Sequence, residues 1–172
     1  MPVLIIGTYD EDGTPNAMNA AWGGISGNSE ISICITKNHK TTKNILKKKD
    51  FTISIANVKN MAACDYVGIV SGNEVKDKVE KAGFHTQKAQ HVDAPIFLEL
   101  PMTLECRCKS YDPESGHLLG EIVNVCAKES ILTNGQIDPL KLQAITFDPV
   151  NNAYLTLGEK AGNAFEDGNK LK

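Results

Sequence analysis

An alternation of apolar and polar side chains with period two recurs three times in this chain, and a helix cannot accommodate it. Ile31-Ser32-Ile33-Cys34-Ile35-Thr36 is one such stretch and Phe51-Thr52-Ile53-Ser54-Ile55-Ala56 is another. In the third, Met102, Leu104, Cys106 and Cys108 alternate with Thr103, Glu105, Arg107 and Lys109. Each predicts a strand with one buried face. Asp112-Pro113-Glu114-Ser115-Gly116 is a turn, and Leu118 to Ala127 runs back as a hairpin partner. Val3 to Tyr9, closed by Asp10-Glu11-Asp12-Gly13, is a further strand, and Ile145-Thr146-Phe147 and Tyr154 to Leu157 are the last.

Short helices interrupt this pattern. Lys40 to Lys49 opens with Thr41 and Thr42, good N-cap residues, and carries Ile45 and Leu46 on one side. Its end, Lys47-Lys48-Lys49, complements the helix dipole. Asn60 is placed to cap Met61 to Val70, a helix interrupted by Gly68, and Ser71-Gly72-Asn73 is a turn. Val75 to Ala82 predicts a second short helix with Gly83 as its C-cap, and Val92-Asp93-Ala94-Pro95 breaks regular structure. The expected architecture is mainly β, an antiparallel barrel with short helical insertions. The segment from Glu159 to Lys172 is a polar, Gly-rich tail. Edge strands in such folds are often hidden by dimerisation.

Composition removes several classes. The net charge of -3 comes without a basic block, which argues against a nucleic-acid surface. No apolar run reaches the roughly 18 residues that span a bilayer. The opening Val3-Leu4-Ile5-Ile6 is too short, and lacks the basic lead, of a signal peptide, so a cytoplasmic location is expected. Five cysteines at scattered spacing suggest reduced thiols rather than a disulfide framework, and Cys106-x-Cys108 has no second pair to complete a zinc site. No metal is expected.

Four constellations carry chemistry. Thr36-Lys37-Asn38-His39-Lys40-Thr41-Thr42-Lys43-Asn44 leaves a strand and enters a helix, whose first N–H groups suit a phosphate; the same residues also describe an ordinary capped helix with a basic entrance. Asn16-Ala17-Met18-Asn19-Ala20-Ala21-Trp22-Gly23-Gly24 lets a backbone approach a flat ligand, or is a small-residue strand with a core Trp. In Ile55-Ala56-Asn57 the amide either reaches a ligand or stabilises a turn. His117 opens a hairpin strand, where a lone His is more often structural than catalytic. No nucleophile elbow, Walker loop or Rossmann fingerprint is present.

In this order the segments resemble the flavin reductase-like, FMN-binding split-barrel family, and within it the flavoredoxin-type branch. The resemblance rests on Pro2 to Thr8, Asn16 to Trp22, Thr42-x-Asn44-Ile45, Phe51 to Asn57, Asp65-x-x-Gly68-x-x-Ser71-Gly72 and Asp77-Lys78. It continues through Ala94-Pro95, Leu104-Glu105-Cys106, Gly116-His117, Gly120-Glu121 and Tyr154-x-x-Leu157-Gly158-Glu159. It implies an FMN-binding domain over residues 1–158 followed by the tail 159–172. Met18, Asn19, Ala20, Ala21 and Trp22 would lie along the isoalloxazine, and Thr36, Lys37, His39, Lys40, Thr41 and Thr42 would hold the phosphate. Ala56 and Asn57 would reach the ring or the ribityl chain, Ser71 and Gly72 would close over the cofactor from this chain or a dimer partner, and His117 would lie near a nicotinamide. Two departures bear on that last role: Gly116 stands where relatives often carry Asp, and the hairpin is short. The implied function is a homodimeric flavin-dependent oxidoreductase fed by NAD(P)H or a small redox protein. A non-enzymatic FMN electron carrier, or a module binding another ligand such as heme, are the alternatives.

Overall fold

The computed structural model describes all 172 residues. Five strands and one helix come first: β1 (Leu4–Tyr9), β2 (Pro15–Ala20), β3 (Gly23–Gly27), β4 (Glu30–Cys34), α1 (Lys40–Lys48) and β5 (Asp50–Ile55). Two helices and two short strands follow, α2 (Met61–Ile69), α3 (Lys78–Lys81), β6 (Thr86–Lys88) and β7 (Pro95–Phe97). The long hairpin β8 (Met102–Tyr111) and β9 (His117–Ala127) precedes β10 (Leu132–Thr133), β11 (Gln136–Ile137), α4 (Pro139–Leu142), β12 (Ile145–Asp148) and β13 (Ala153–Thr156).

Seven strands form one antiparallel sheet in the order β2-β1-β5-β8-β9-β4-β3. Its two edge strands are consecutive in sequence and only Ala21 and Trp22 join them. Three Cα–Cα steps span at most about 11 Å, so the sheet must curl until its edges meet. The result is the split barrel.

Strand β1 shows why the chain opens with an unbroken apolar run. Leu4 and Ile6 point into the barrel with Ile31, Ile33, Phe51, Ile53, Leu104 and Leu118. Val3 and Ile5 point the other way, into a second cluster with Ala17, Cys64, Val67, Phe84, Phe97 and Leu100. A strand segment buried on both faces, as Leu4 to Ile6 is, shows no polar alternation. The second core lies beneath α2, α3 and β7 and fastens them to the sheet.

The structure corrects several local expectations. Helix α1 starts at Lys40, with His39 as N-cap and no side-chain capping bond, so Thr41 and Thr42 are not its caps. Their hydroxyls are engaged elsewhere: Thr42 Oγ1 donates to the Thr36 carbonyl at 2.8 Å and Thr41 Oγ1 accepts from Asn16 at 2.8 Å. The helix expected over Val75–Ala82 contracts to Lys78–Lys81, because Glu74 and Val75 N–H groups both turn back to the Ser71 carbonyl. Gly83 does follow it with a left-handed φ of +78°, as a C-cap glycine should. Residues near Pro95, read as a break, form β7; Pro95 occupies its first position, where a missing N–H is tolerated. No helix is long and apolar enough to cross a membrane.

Candidate functional site

A cavity of about 210 Å³ opens between the start of α1, the end of β2 and the α2–α3 segment. Asn16, Met18 and Asn19 line it from β2, His39, Lys40 and Thr41 from α1, Val67 to Gly72 from the end of α2, and Lys78 from α3.

A buried polar network fixes the helix start against the barrel. Asn16 Nδ2 donates to Thr8 Oγ1 at 3.3 Å and to Thr41 Oγ1 at 2.8 Å. Asn44 Nδ2 donates to the same Thr8 oxygen at 3.1 Å and to Asp10 Oδ1 at 2.7 Å. The other Asp10 oxygen holds the Lys40 ammonium at 2.9 Å. With its side-chain partners occupied and no cap at His39, the first turn of α1 keeps unpaired N–H groups and the positive end of the helix dipole. Gly72 makes the fit tight: a Cβ there would strike Asn16 Oδ1 and come 3.4 Å from Lys40 Cβ.

Lys78 is the least expected member. Its side chain is only 3% exposed, and its Nζ donates to the carbonyls of Val67 at 3.0 Å and Val70 at 2.8 Å, at the C-terminal end of α2. None of the ion pairs in the chain includes it. An ammonium has three N–H donors, so one remains. Burial pushes its pKa down to about 8. Partial burial of the ring, and then the Lys78 charge, lower the His39 pKa as well, which favours its neutral form.

A second set of expected residues lies on the outer face of the sheet. The Trp22 carbonyl accepts from Cys34 N–H at 2.8 Å, Cys34 stands opposite His117 across β4 and β9, and Ser32 Oγ is 2.6 Å from His117 Nε2. Trp22, Cys34 and His117 are exposed.

Of the residues singled out in the sequence, Met18, Asn19, His39, Lys40, Thr41, Ser71 and Gly72 meet in the cavity, all from one chain. Thr36 and Lys37 sit exposed on the approach to α1, and Thr42 is sealed behind it. Ala20 faces the barrel interior, Ala56 belongs to the second core, and Ala21 and Trp22 form the link between edge strands. Asn57 caps the 3-10 turn Val58–Asn60, its Oδ1 accepting from Asn60 N at 3.1 Å and Asn60 Nδ2 at 2.9 Å. Asn16, Lys78 and the run Val67 to Val70 complete the cavity and were not among the site residues read from the sequence. Asn16 lies in a segment already notable for small residues, whereas nothing in the local sequence marks Lys78 as buried.

Chemically, the cavity can hold an anion against helix N–H groups and a buried ammonium, beside amide groups suited to hydroxyls. A family model, the flavin reductase like domain, matches residues 1–144. No curated protein sequence matches the chain. Among solved structures, flavoredoxin of Desulfovibrio vulgaris (Miyazaki F) is similar at 35% identity and a TM-score of 0.92, over 97% of this chain and 92% of that one. Flavoredoxin from Methanosarcina acetivorans is similar at 26% identity and a TM-score of 0.91, over 100% and 92%. Nitrilotriacetate monooxygenase component B from Bacillus cereus shares the fold at 20% identity and a TM-score of 0.81, over 94% and 86%. With a family match over most of its length and this closeness to two flavoredoxins, the chain belongs to the flavin reductase-like family, on its flavoredoxin branch.

Proposed function

We propose that this chain is an FMN-dependent oxidoreductase whose cavity binds the phosphate-bearing chain of the cofactor, and that it takes electrons from NAD(P)H or a small redox protein. One observation carries the reading. Lys78 is a buried ammonium with a free donor and no carboxylate partner, set beside an uncapped helix start. A buried unpaired charge is costly, and a phosphate supplies the missing partner.

The residues fit the group. The first turn of α1, Lys78 and Ser71 offer donors to a phosphate, and Asn16 and Asn19 stand where a hydroxylated chain would run. At about 210 Å³ the cavity is below the roughly 300–1,000 Å³ of pockets that enclose a whole ligand. The ring therefore has to extend past Asn19 toward Ala21 and Trp22, where the sheet edges meet. Bound FMN would supply the electron-transfer chemistry. This chain's residues anchor and orient it, and hydride transfer to a flavin requires no protein acid or base. His117, exposed on the same side as Trp22 and Cys34, is proposed to stand on the nicotinamide side.

A second copy of the chain is proposed to cover the open end. Trp22 is 59% exposed, Ile25 64% and Ile69 74%, and apolar groups of that size beside a ligand site suit an interface. All five cysteines are free, which suits a reducing compartment such as the cytoplasm. The likeness to flavoredoxins favours a second reading, a carrier that keeps FMN bound and is reduced by a protein partner. Steady-state NAD(P)H oxidation with excess free flavin separates the two: turnover identifies the reductase and its absence the carrier. The reading as a whole is tested by adding FMN, desalting and recording the absorbance spectrum. Retained flavin bands are expected; a colourless protein with no affinity for FMN in a titration contradicts it.

A further inference from the structure

Asn19, Tyr154 and Asp65 come from β2, β13 and α2, and they form one directed hydrogen-bond chain that ends at the cavity. Asn19 Nδ2 donates to the Cys64 carbonyl at 3.1 Å and to Tyr154 Oη at 3.3 Å. Tyr154 Oη donates in turn to Asp65 Oδ1 at 2.7 Å. Chemistry fixes each direction. A carbonyl only accepts, so the nitrogen of the Asn19 amide must face Cys64; the opposite orientation would set oxygen against oxygen. A carboxylate only accepts, so the phenol gives its proton to Asp65 and offers a lone pair to Asn19. Burial, and then Asp65, push the Tyr154 phenol up to about 12, so it remains a donor at any working pH.

Both amide hydrogens of Asn19 are thereby engaged. Its Oδ1 has no partner within the chain, and no side-chain polar atom is both sealed from solvent and unpaired. Asn19 lines the cavity, so Oδ1 is the polar atom it has left to offer a ligand. Bonds in series polarise one another, and the negative charge at Asp65 makes Oδ1 a better acceptor.

We infer that Tyr154 and Asp65 are positioning residues that hold Asn19 Oδ1 as an acceptor for a hydroxyl of the bound ligand, so that the site selects a phosphate ester on a hydroxylated chain. The inference rests on the cavity being the phosphate-bearing end of a flavin site. It gives the C-terminal hairpin a part in recognition, although Tyr154 lies beyond the residues 1–144 that the family model matches.

The test compares two ligands, FMN and a flavin whose phosphate is carried on an alkyl chain without hydroxyls, by fluorescence titration of the wild type, Tyr154→Phe and Asp65→Asn. The wild type is expected to prefer FMN by about tenfold, the scale of a well-placed hydrogen bond. Tyr154→Phe is expected to weaken FMN about fivefold and leave the analogue nearly unchanged, so that the preference collapses. Asp65→Asn, which keeps the shape and removes the charge, should do the same to a smaller degree and stands in if Tyr154→Phe does not fold. Equal weakening of both ligands would show a merely structural contact and overturn the inference, as would an unchanged preference. A wild type that binds neither ligand refutes the flavin reading itself, and the inference falls with it. Binding of FMN with the preference intact in both variants refutes the inference alone.

Discussion

At the start of α1, Asn16, Thr8, Thr41, Asn44 and Asp10 are joined by hydrogen bonds of 2.7 to 3.3 Å that exist before any ligand arrives. Around Trp22, Cys34 and His117, by contrast, the side chains stand on an exposed sheet face with one cross-strand contact, Ser32 to His117. The first region is pre-organised by a single chain, so little ordering opposes binding there. The second is open and has no comparable buried network. Affinity should therefore concentrate at the phosphate end, and choice of electron donor at the ring end.

Four substitutions or conditions sharpen that contrast. The largest effect is expected from Lys78→Met, which keeps the buried stem and removes the charge. A charge-assisted bond is worth about 1.5–3 kcal/mol, so FMN affinity should fall tenfold or more in a fluorescence titration. Next comes Gly72→Ala. Its Cβ would displace Asn16 Oδ1, and overpacking of about 1–3 kcal/mol should appear as a loss of FMN affinity near tenfold with a lower melting temperature.

The pH dependence is of similar size. Lys78 titrates near pH 8 without a ligand, and a bound phosphate favours its charged form and raises that value. Well below pH 8 Lys78 is charged in both states, so its contribution to FMN affinity is complete there; that contribution falls as pH rises above 8 toward the raised value of the complex, by up to about tenfold per unit. The fall should vanish in Lys78→Met. The smallest effect on affinity belongs to the open end: His117→Ala should leave FMN binding within about twofold, because no bond in the cavity depends on it, while slowing reduction by NAD(P)H in stopped flow. A tenfold loss of FMN affinity in that variant would erase the contrast between the two ends.

The legible part of the fold is what repeats locally. Period-two runs locate β4, β5 and β8, and the turn at Asp112–Gly116 locates the return of β9. Strands β6 and β7 escape because three residues cannot display a period and their pairing is with each other. The basic entrance to α1 is legible as a helix start, but residue type misleads about its threonines, whose hydroxyls bond Asn16 and the Thr36 carbonyl rather than the helix end. Lys78 and the Asn19–Tyr154 contact are not legible. The first is buried only because α2 ends above it, and the second joins residues 135 positions apart. Asn57 illustrates two readings that residue type cannot separate, and its amide oxygen is engaged as a cap.

The most direct test of the account is the ratio of wild-type affinities for FMN and riboflavin, measured side by side by calorimetric titration at pH 7. The two ligands differ only in the phosphate, so FMN is expected to bind at least about tenfold tighter. Equal affinities would contradict the account, because they would mean that the start of α1 and Lys78 do not hold the phosphate.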